Sequence, residues 1–591
     1  MIKAHHTIQW ALAAILLLPF ISVKAQTDTT LRREVEVVKS FSPAAMDAQK
    51  INDIPTIKDT EFKKPNFDYS IFSQPVFSTF SVTSLQAATI VGKPKEEVGF
   101  GLLRLGAGNY NKPYGEFFFN NKNQKNSIFG LHLKHLSSHG KINLEGGDRV
   151  KSPFSDNEAE MFIKHMFRKS TLSFNLGLDH DGYNYYGYPV TGIPALIEDY
   201  SPYLGDRQTM TKGKININLQ NLSKGKSDPS TGFDFLYHYF GNKTGQREHY
   251  GNFTMDFKRP TDMFTFLIDA GAEYSQTSLL YIDTTNTAAT RKQTWIFGKP
   301  AFLFGNETIN LKVGVNAWMT FDNQYKTNFR LTPNVRFNFA PVKELINVFA
   351  GVDGQNHHNY YSAVAYFNPY INPELAVKNH FEKFRIYGGF DGKFATNTNY
   401  KIQVDHSTLV GHPFFVMNQT TVWGTTDGES SMLLEIPMVN NVFDVVYDDM
   451  KKLKFNGEIV HSMGDKLNLL VSASVYKYTM NHEEKPWHLP SWDANLGISY
   501  QVTDRLRVAS EIYAIGKRHA LLRESDPEKQ NLNQVIPMNM VIDMNARGVY
   551  DITGKLSAFA QLHNFGFQKY EQWLGYPSQS FNFLGGLSLS F

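Results

Sequence analysis

From about Val98 to Phe591 the chain alternates apolar and polar side chains, and no other feature constrains its fold as tightly. Ile215-Asn-Ile-Asn-Leu-Gln220 alternates without a fault. Ile309-Asn-Leu-Lys-Val-Gly-Val-Asn-Ala-Trp318 keeps Leu311, Val313, Val315 and Ala317 on one face, and Leu506–Ile512 and Leu556–Leu562 follow more loosely. A period of two sends successive side chains to opposite faces of a strand, so each segment has one greasy and one polar face. Soluble antiparallel sheets alternate in the same way. The connections discriminate.

Short polar turns fall at Lys122–Asn126, Arg168–Ser170, Asn306–Thr308, Thr396–Tyr400, Met463–Lys466, Val502–Asp504 and Asp551–Gly554. Longer connections lie between them, near 137–157, 181–206, 275–291, 355–381, 412–451, 479–490, 517–534 and 571–579. Such sorting is expected when long loops face outward and short turns face the periplasm. The chain is therefore expected to be all-β: a transmembrane antiparallel β-barrel of about 22 strands over residues 97–591. Aromatic residues make up 14% of the chain, which suits the girdles of such a barrel. With 42% hydrophobic residues and a negative mean hydropathy, a helical membrane bundle is excluded.

Residues 1–25 read as a secretory signal peptide, with Lys3, an apolar core from Trp10 to Val23, and a small-residue cleavage site ending at Ala25. At about 14 residues that core is short for a membrane span. The formal charge of +3 includes Lys3 and Lys24, so the mature chain carries no basic footprint for nucleic acid. There is no cysteine, which removes disulfides, thiolate metal sites and Cys nucleophiles. Residues 26–96 differ from the rest: a strand candidate at Glu34–Val38, one amphipathic helix candidate at Ser42–Ile51, then an extended run punctuated by Pro55, Pro65 and Pro75. They form a short irregular N-terminal extension, in the periplasm or filling the lumen, and the wide barrel that follows is of a size that commonly carries a plug.

The last strand places Phe581, Phe583, Leu587, Leu589 and Phe591 on one parity. A terminal strand ending on an aromatic residue resembles the signal that outer-membrane barrels present to the barrel-assembly machinery. Asn372-Pro373-Glu374-Leu375, followed by Glu382–Gly389, resembles a mid-barrel landmark of TonB-dependent receptors, with Val377 where the family has proline. Leu562-His-Asn564-Phe565, Lys569-Tyr570 and Gly575-Tyr576-Pro577 resemble the last hairpin of the same family. The resemblance implies an outer-membrane barrel and an N-terminal plug, yet residues 26–96 are too few for a full plug. Glu34, Val35, Glu36, Val37 and Val38 resemble a TonB-contacting box. The implied partners are outer-membrane lipid, the assembly machinery, and TonB or another periplasmic or lipoprotein partner.

Asp179-His-Asp-Gly-Tyr-Asn-Tyr-Tyr186 is the sharpest local cluster. Asp179, His180 and Asp181 could bind a cation, and Tyr183, Tyr185 and Tyr186 could stack on sugar rings. A strand end entering an aromatic girdle explains the same residues more simply. Gln355–Tyr361 reads as a solvated loop, and adjacent His357 and His358 would point apart if the strand reached them. Asp444, Asp448, Asp449, Glu483 and Glu484 read as a charged outer rim. No catalytic arrangement or phosphate loop is found, and no enzyme, cofactor or metal is expected. Inward faces such as Asn216, Asn218, Gln220, Lys312 and Asn316 would line a wet lumen. The leading function is a conduit or receptor for solute uptake, partly occluded by residues 26–96. The alternative is a non-transporting barrel that scaffolds or assists an outer-membrane or periplasmic complex.

Overall fold

The computed structural model describes residues 100–591, apart from 122–125, 145–146, 148, 188–206, 222–224, 226–227, 283–287, 374, 426–432, 465 and 525–532. The signal peptide, Ala25, Glu34–Val38 and the rest of residues 26–96 lie outside the described residues.

Twenty-two strands each pair antiparallel with their neighbours in the chain, and the ring closes where the first strand, Gly101–Gly108, pairs with the last, Asn582–Ser590. The seam runs Leu105↔Leu587 and Gly106↔Gly586, and the Phe591 carbonyl accepts N–H bonds from Phe100 (2.6 Å) and Gly101 (2.9 Å). Closure leaves no unpaired edge in the membrane, which is why sheets cross lipid only as barrels. A Cβ at Gly586 would land on the Leu105 carbonyl and the Phe559 ring, so glycine there sets how closely the two ends meet.

Burial is inverted relative to a soluble protein. Along Ile309–Asp322 the apolar parity is exposed, Val313 at 40% and Val315 at 41%, while Asn316 on the opposite parity is only 6% exposed. Phe253, Ile296, Phe302, Phe329 and Ile386 continue that apolar belt around the wall. Apolar surface on this scale belongs in lipid. Inside, polar residues bond across strands: Asn216 and Asn218 donate to Asp234, and Asn334 donates to Asn316 (2.9 Å). Among the described residues no helix is long and apolar enough to cross a membrane.

The even-numbered connections are short, as at 167–169, 306–308, 396–397 and 552–555. Their chemistry is local: the Asn306 side chain accepts from the N–H groups of Thr308 and Ile309, and Gly305 supplies φ +98. Most odd connections are long, such as 139–153, 358–379, 516–540 and 564–581. Two segments expected as loops differ. Strands Phe264–Ile282 and Ala288–Gly305 occupy most of 275–291, and Thr398–Thr425 and Leu433–Met463 occupy most of 412–451. Backbone pairing there continues beyond the membrane, where alternation of side chains is no longer enforced by lipid.

Candidate functional site

Described outer loops fold together against the wall at one end of the barrel. Loop 358–379 carries the helix Tyr361–Phe367, and its partners lie on strands three to seven places away around the wall. Ser362 Oγ donates to Glu248 (2.6 Å) beside His238, and Gln246 donates to the Pro373 carbonyl (2.7 Å). His358 bonds Glu273 (2.8 Å) and Ser275 (3.0 Å) and stacks on Trp295 with ring centres 4.6 Å apart. Asn379 donates to Gln293 (2.6 Å), and Arg291 donates to the Val377 carbonyl. On these strands Phe235, Tyr239, Phe253, Tyr274 and Ile296 are the exposed parity. His238, Glu248, Glu273, Ser275, Gln293 and Trp295 are therefore the inward parity, and the loop is folded into the mouth.

A buried apolar core then joins this loop to the others. It includes Tyr185, Met210, Phe240, Ile371, Phe415, Met417, Phe443, Leu522, Trp573 and Tyr576. Tyr370 stacks on Tyr576 at 3.6 Å between ring centres, and Tyr186 meets Tyr576 edge-on at 5.0 Å. The Tyr185 hydroxyl donates to the Ile371 carbonyl (2.9 Å), and that of Tyr186 donates to the Pro577 carbonyl (3.1 Å). Burial, with the neighbouring tyrosines adding to it, holds the Tyr186 and Tyr576 hydroxyls well above their usual ionisation range. Such rings contribute about 0.5–1.5 kcal/mol per pair beyond burial.

The hairpin Arg518–Glu524 with Gln534–Met538 is drawn into the same region by parallel pairing of Met417↔Leu522. Leu521 packs on the opposite side in a second core with Leu409, Phe414, Val416, Met450 and Trp487. Arg518 donates to the carbonyls of Gln572 (2.7 Å) and Glu571 (2.6 Å). Burial lowers it to about 10. His488, at φ +61, donates Nδ1–H to the Phe415 carbonyl (3.1 Å) and packs on Trp573. Burial first, then the Arg518 charge, pull this imidazole down to about 3, so it is neutral. Several outer loops thus share one buried apolar core at this end of the barrel.

No protein-family model and no curated protein matches the sequence. Solved structures do match. The ferripyoverdine receptor of the outer membrane of Pseudomonas aeruginosa superimposes with a TM-score of 0.60 at 11% identity, over 85% of this chain and 72% of that one. The siderophore receptor PirA from Acinetobacter baumannii gives 0.60 at 10% identity, over 84% and 81%. The copper transporter OprC gives 0.58 at 10%, over 84% and 81%. The chain has the fold of the TonB-dependent receptor barrels. With its lipid-facing belt, that fold is an outer-membrane architecture.

On the receptor fold the landmarks suggested by sequence fall in the mouth. Asn372 donates its N–H to the Phe443 carbonyl (2.8 Å), and Leu375 and Val377 are buried in the core. Tyr576 is at the centre, and Asn564, at φ +49, holds the last loop by bonding the backbone of Gln568. Phe583, Leu587, Leu589 and Phe591 are exposed on the lipid-facing parity. In the Asp179–Tyr186 cluster, Asp179 pairs with Lys214 (3.7 Å), while His180 is on the opposite, exposed face and bonds Thr211 (2.8 Å). The strand thus separates His180 from the carboxylates, and Tyr183, Tyr185 and Tyr186 pack into the mouth instead of facing solvent.

Two expectations from the sequence are overturned. His358 is a buried tether, not part of a solvated loop, although His357 and His358 do diverge: His357 stacks on His380 at 4.1 Å. Asp448 is 2% exposed and accepts N–H bonds from Asp449, Asn481, His482 and Glu483, so it anchors loop 481–491 and is no rim charge. The tethers Glu248, Gln246 and Ser362 carried no sequence signal, because their partners are more than a hundred residues away.

Proposed function

We propose that this protein is an outer-membrane uptake receptor whose resting state is closed at the outer mouth by its own loops. The observation that carries the reading is loop 358–379, pinned to inward-facing wall residues and sealed by the Tyr370–Tyr576 core. A permanently open pore has no use for an apolar seal at its entrance. Residues 26–96 act as a reduced plug, in the periplasm or in the lumen, with Glu34–Val38 as the contact for TonB. Ala25 marks the signal cleavage, and the face of Phe581, Phe583, Leu587, Leu589 and Phe591 is what the assembly machinery reads. The structural neighbours bind ferripyoverdine or transport copper, which supports uptake as the class of activity.

Conductance of the mature chain in planar bilayers tests this. The full chain should be closed. Deleting residues 27–96 should give brief openings, and combining the deletion with Tyr576→Ala should give large, steady pores. A barrel closed in every form, together with a stoichiometric co-purifying periplasmic partner, would replace uptake with a scaffolding role.

A further inference from the structure

A cavity of about 260 Å³ opens at the outer rim between the inner wall and loop 358–379. That is near the lower end of small-molecule sites, about 300 Å³. Its wall is supplied by Arg291, Trp295, Thr320, Asp322, Arg330 and Asn356, all on inward parities. Tyr325 and Lys326 reach it from the short connection 323–327, and Lys378 and Asn379 reach it from the mouth loop. A solute entering from outside would meet it before the seal.

Four cations face one carboxylate here, and that carboxylate is already used. Asp322 binds Arg291 through Nη2 (2.7 Å) and Nε (3.2 Å). Among the described residues the half-buried Arg330 is held by neutral groups: Nη1 donates to Asn356 Oδ1 (2.5 Å), and the guanidinium is 4.5 Å from the centre of the Phe381 ring. Lys378 is placed over the Tyr447 ring at 5.6 Å, and among the described residues neither it, Lys326 nor Arg330 forms an ion pair. Concave walls of low dielectric focus the field of such charges, and an uncompensated, partly buried guanidinium favours an incoming negative group. Arg330 lines the cavity, and a guanidinium's planar N–H donors suit two-oxygen acceptors. Thr320, Asn328 and Asn356 provide neutral polar edges for orientation.

We propose that this cavity is a binding site for small, multiply charged oxyanions, either polycarboxylates or phosphates. The site deepens the uptake reading by naming a class of solute, and it is tested by binding alone.

The full mature chain in detergent, at low ionic strength, would be titrated calorimetrically with citrate alone, inorganic phosphate alone and glucose as a neutral control. Citrate or phosphate should bind and glucose should not. Arg330→Gln, which retains a donor for Asn356, should weaken binding about tenfold or more. Lys326→Gln changes an exposed connection that closes no core, and should weaken it severalfold with the barrel intact. Binding of citrate only assigns the site to carboxylates, and of phosphate only to phosphates. No heat from either anion, or unchanged affinity in both variants, overturns the proposal. Anion binding by a barrel that never conducts would leave the site standing and remove the uptake reading.

Discussion

Tyr576 is 2% exposed and meets Tyr370, Tyr186 and Phe443, so the seal depends on this ring more than on any single hydrogen bond. Truncating it to Ala should cost the closed mouth about 3 kcal/mol, by analogy with buried aromatic deletions. Protease cleavage of the outer loops in intact vesicles should then accelerate, whereas Tyr576→Phe, which keeps the ring, should remain close to wild type. His488 supplies a pH dependence. Its folded value is about 3 against an ordinary 6.5, so the closed form refuses a proton that the opened loop accepts. The contribution of His488 is complete above pH 6.5 and is lost as the pH falls from there toward 3. Loop protection measured by hydrogen exchange should decline across that window, and His488→Gln should flatten the decline. The buried tyrosines act at the other end: their raised values mean stability that is lost only as the pH climbs above the ordinary tyrosine range.

At the scale of the strand, inward and outward faces differ in what they tolerate. Val315 is at the middle of Ile309–Asp322 on the exposed parity, so Val315→Arg puts a charge into lipid near the midplane. That should cost about 2–4 kcal/mol. Lys312, on the opposite parity of the same strand, already faces the wet interior, and Lys312→Ala should shift folding by only about 0.5 kcal/mol. Folding into lipid vesicles followed by heat-modifiable gel mobility checks both. This contrast is legible in the sequence, because alternation alone assigns the two parities. Strand ends are less legible. Register shifts at Asp353/Gln355, Glu382/Phe384 and Leu409/His412 change parity near the outer rim. Past such a bulge, counting by twos assigns the wrong face. The solvated-loop reading of His358 fails for a different reason: its partners Glu273, Ser275 and Trp295 lie on other strands.

For the whole molecule, a closed belt facing lipid and a sealed mouth make opposite demands. The belt must be permanent, and it is secured by continuous backbone pairing from Gly101 round to Ser590. The loop core rests on side-chain packing among separate loops, so the proposed uptake role would require it to open without breaking the barrel. This division underlies the bilayer experiment, in which loosening of Tyr576 should act on the loops and leave the barrel wall intact.

An all-β barrel of about 22 strands, its lipid-facing parity and most of the short turns can be read from the unfolded chain. All of these follow from local periodicity and turn chemistry, which each segment carries within itself. What the long outer connections do can be read only from the folded chain. Tyr185 meets Ile371, and Ser362 meets Glu248, through contacts between loops distant in the chain. Lipid no longer imposes alternation there, so no pattern in the sequence records which side chains turn inward into the loop core or line the cavity beside Arg330.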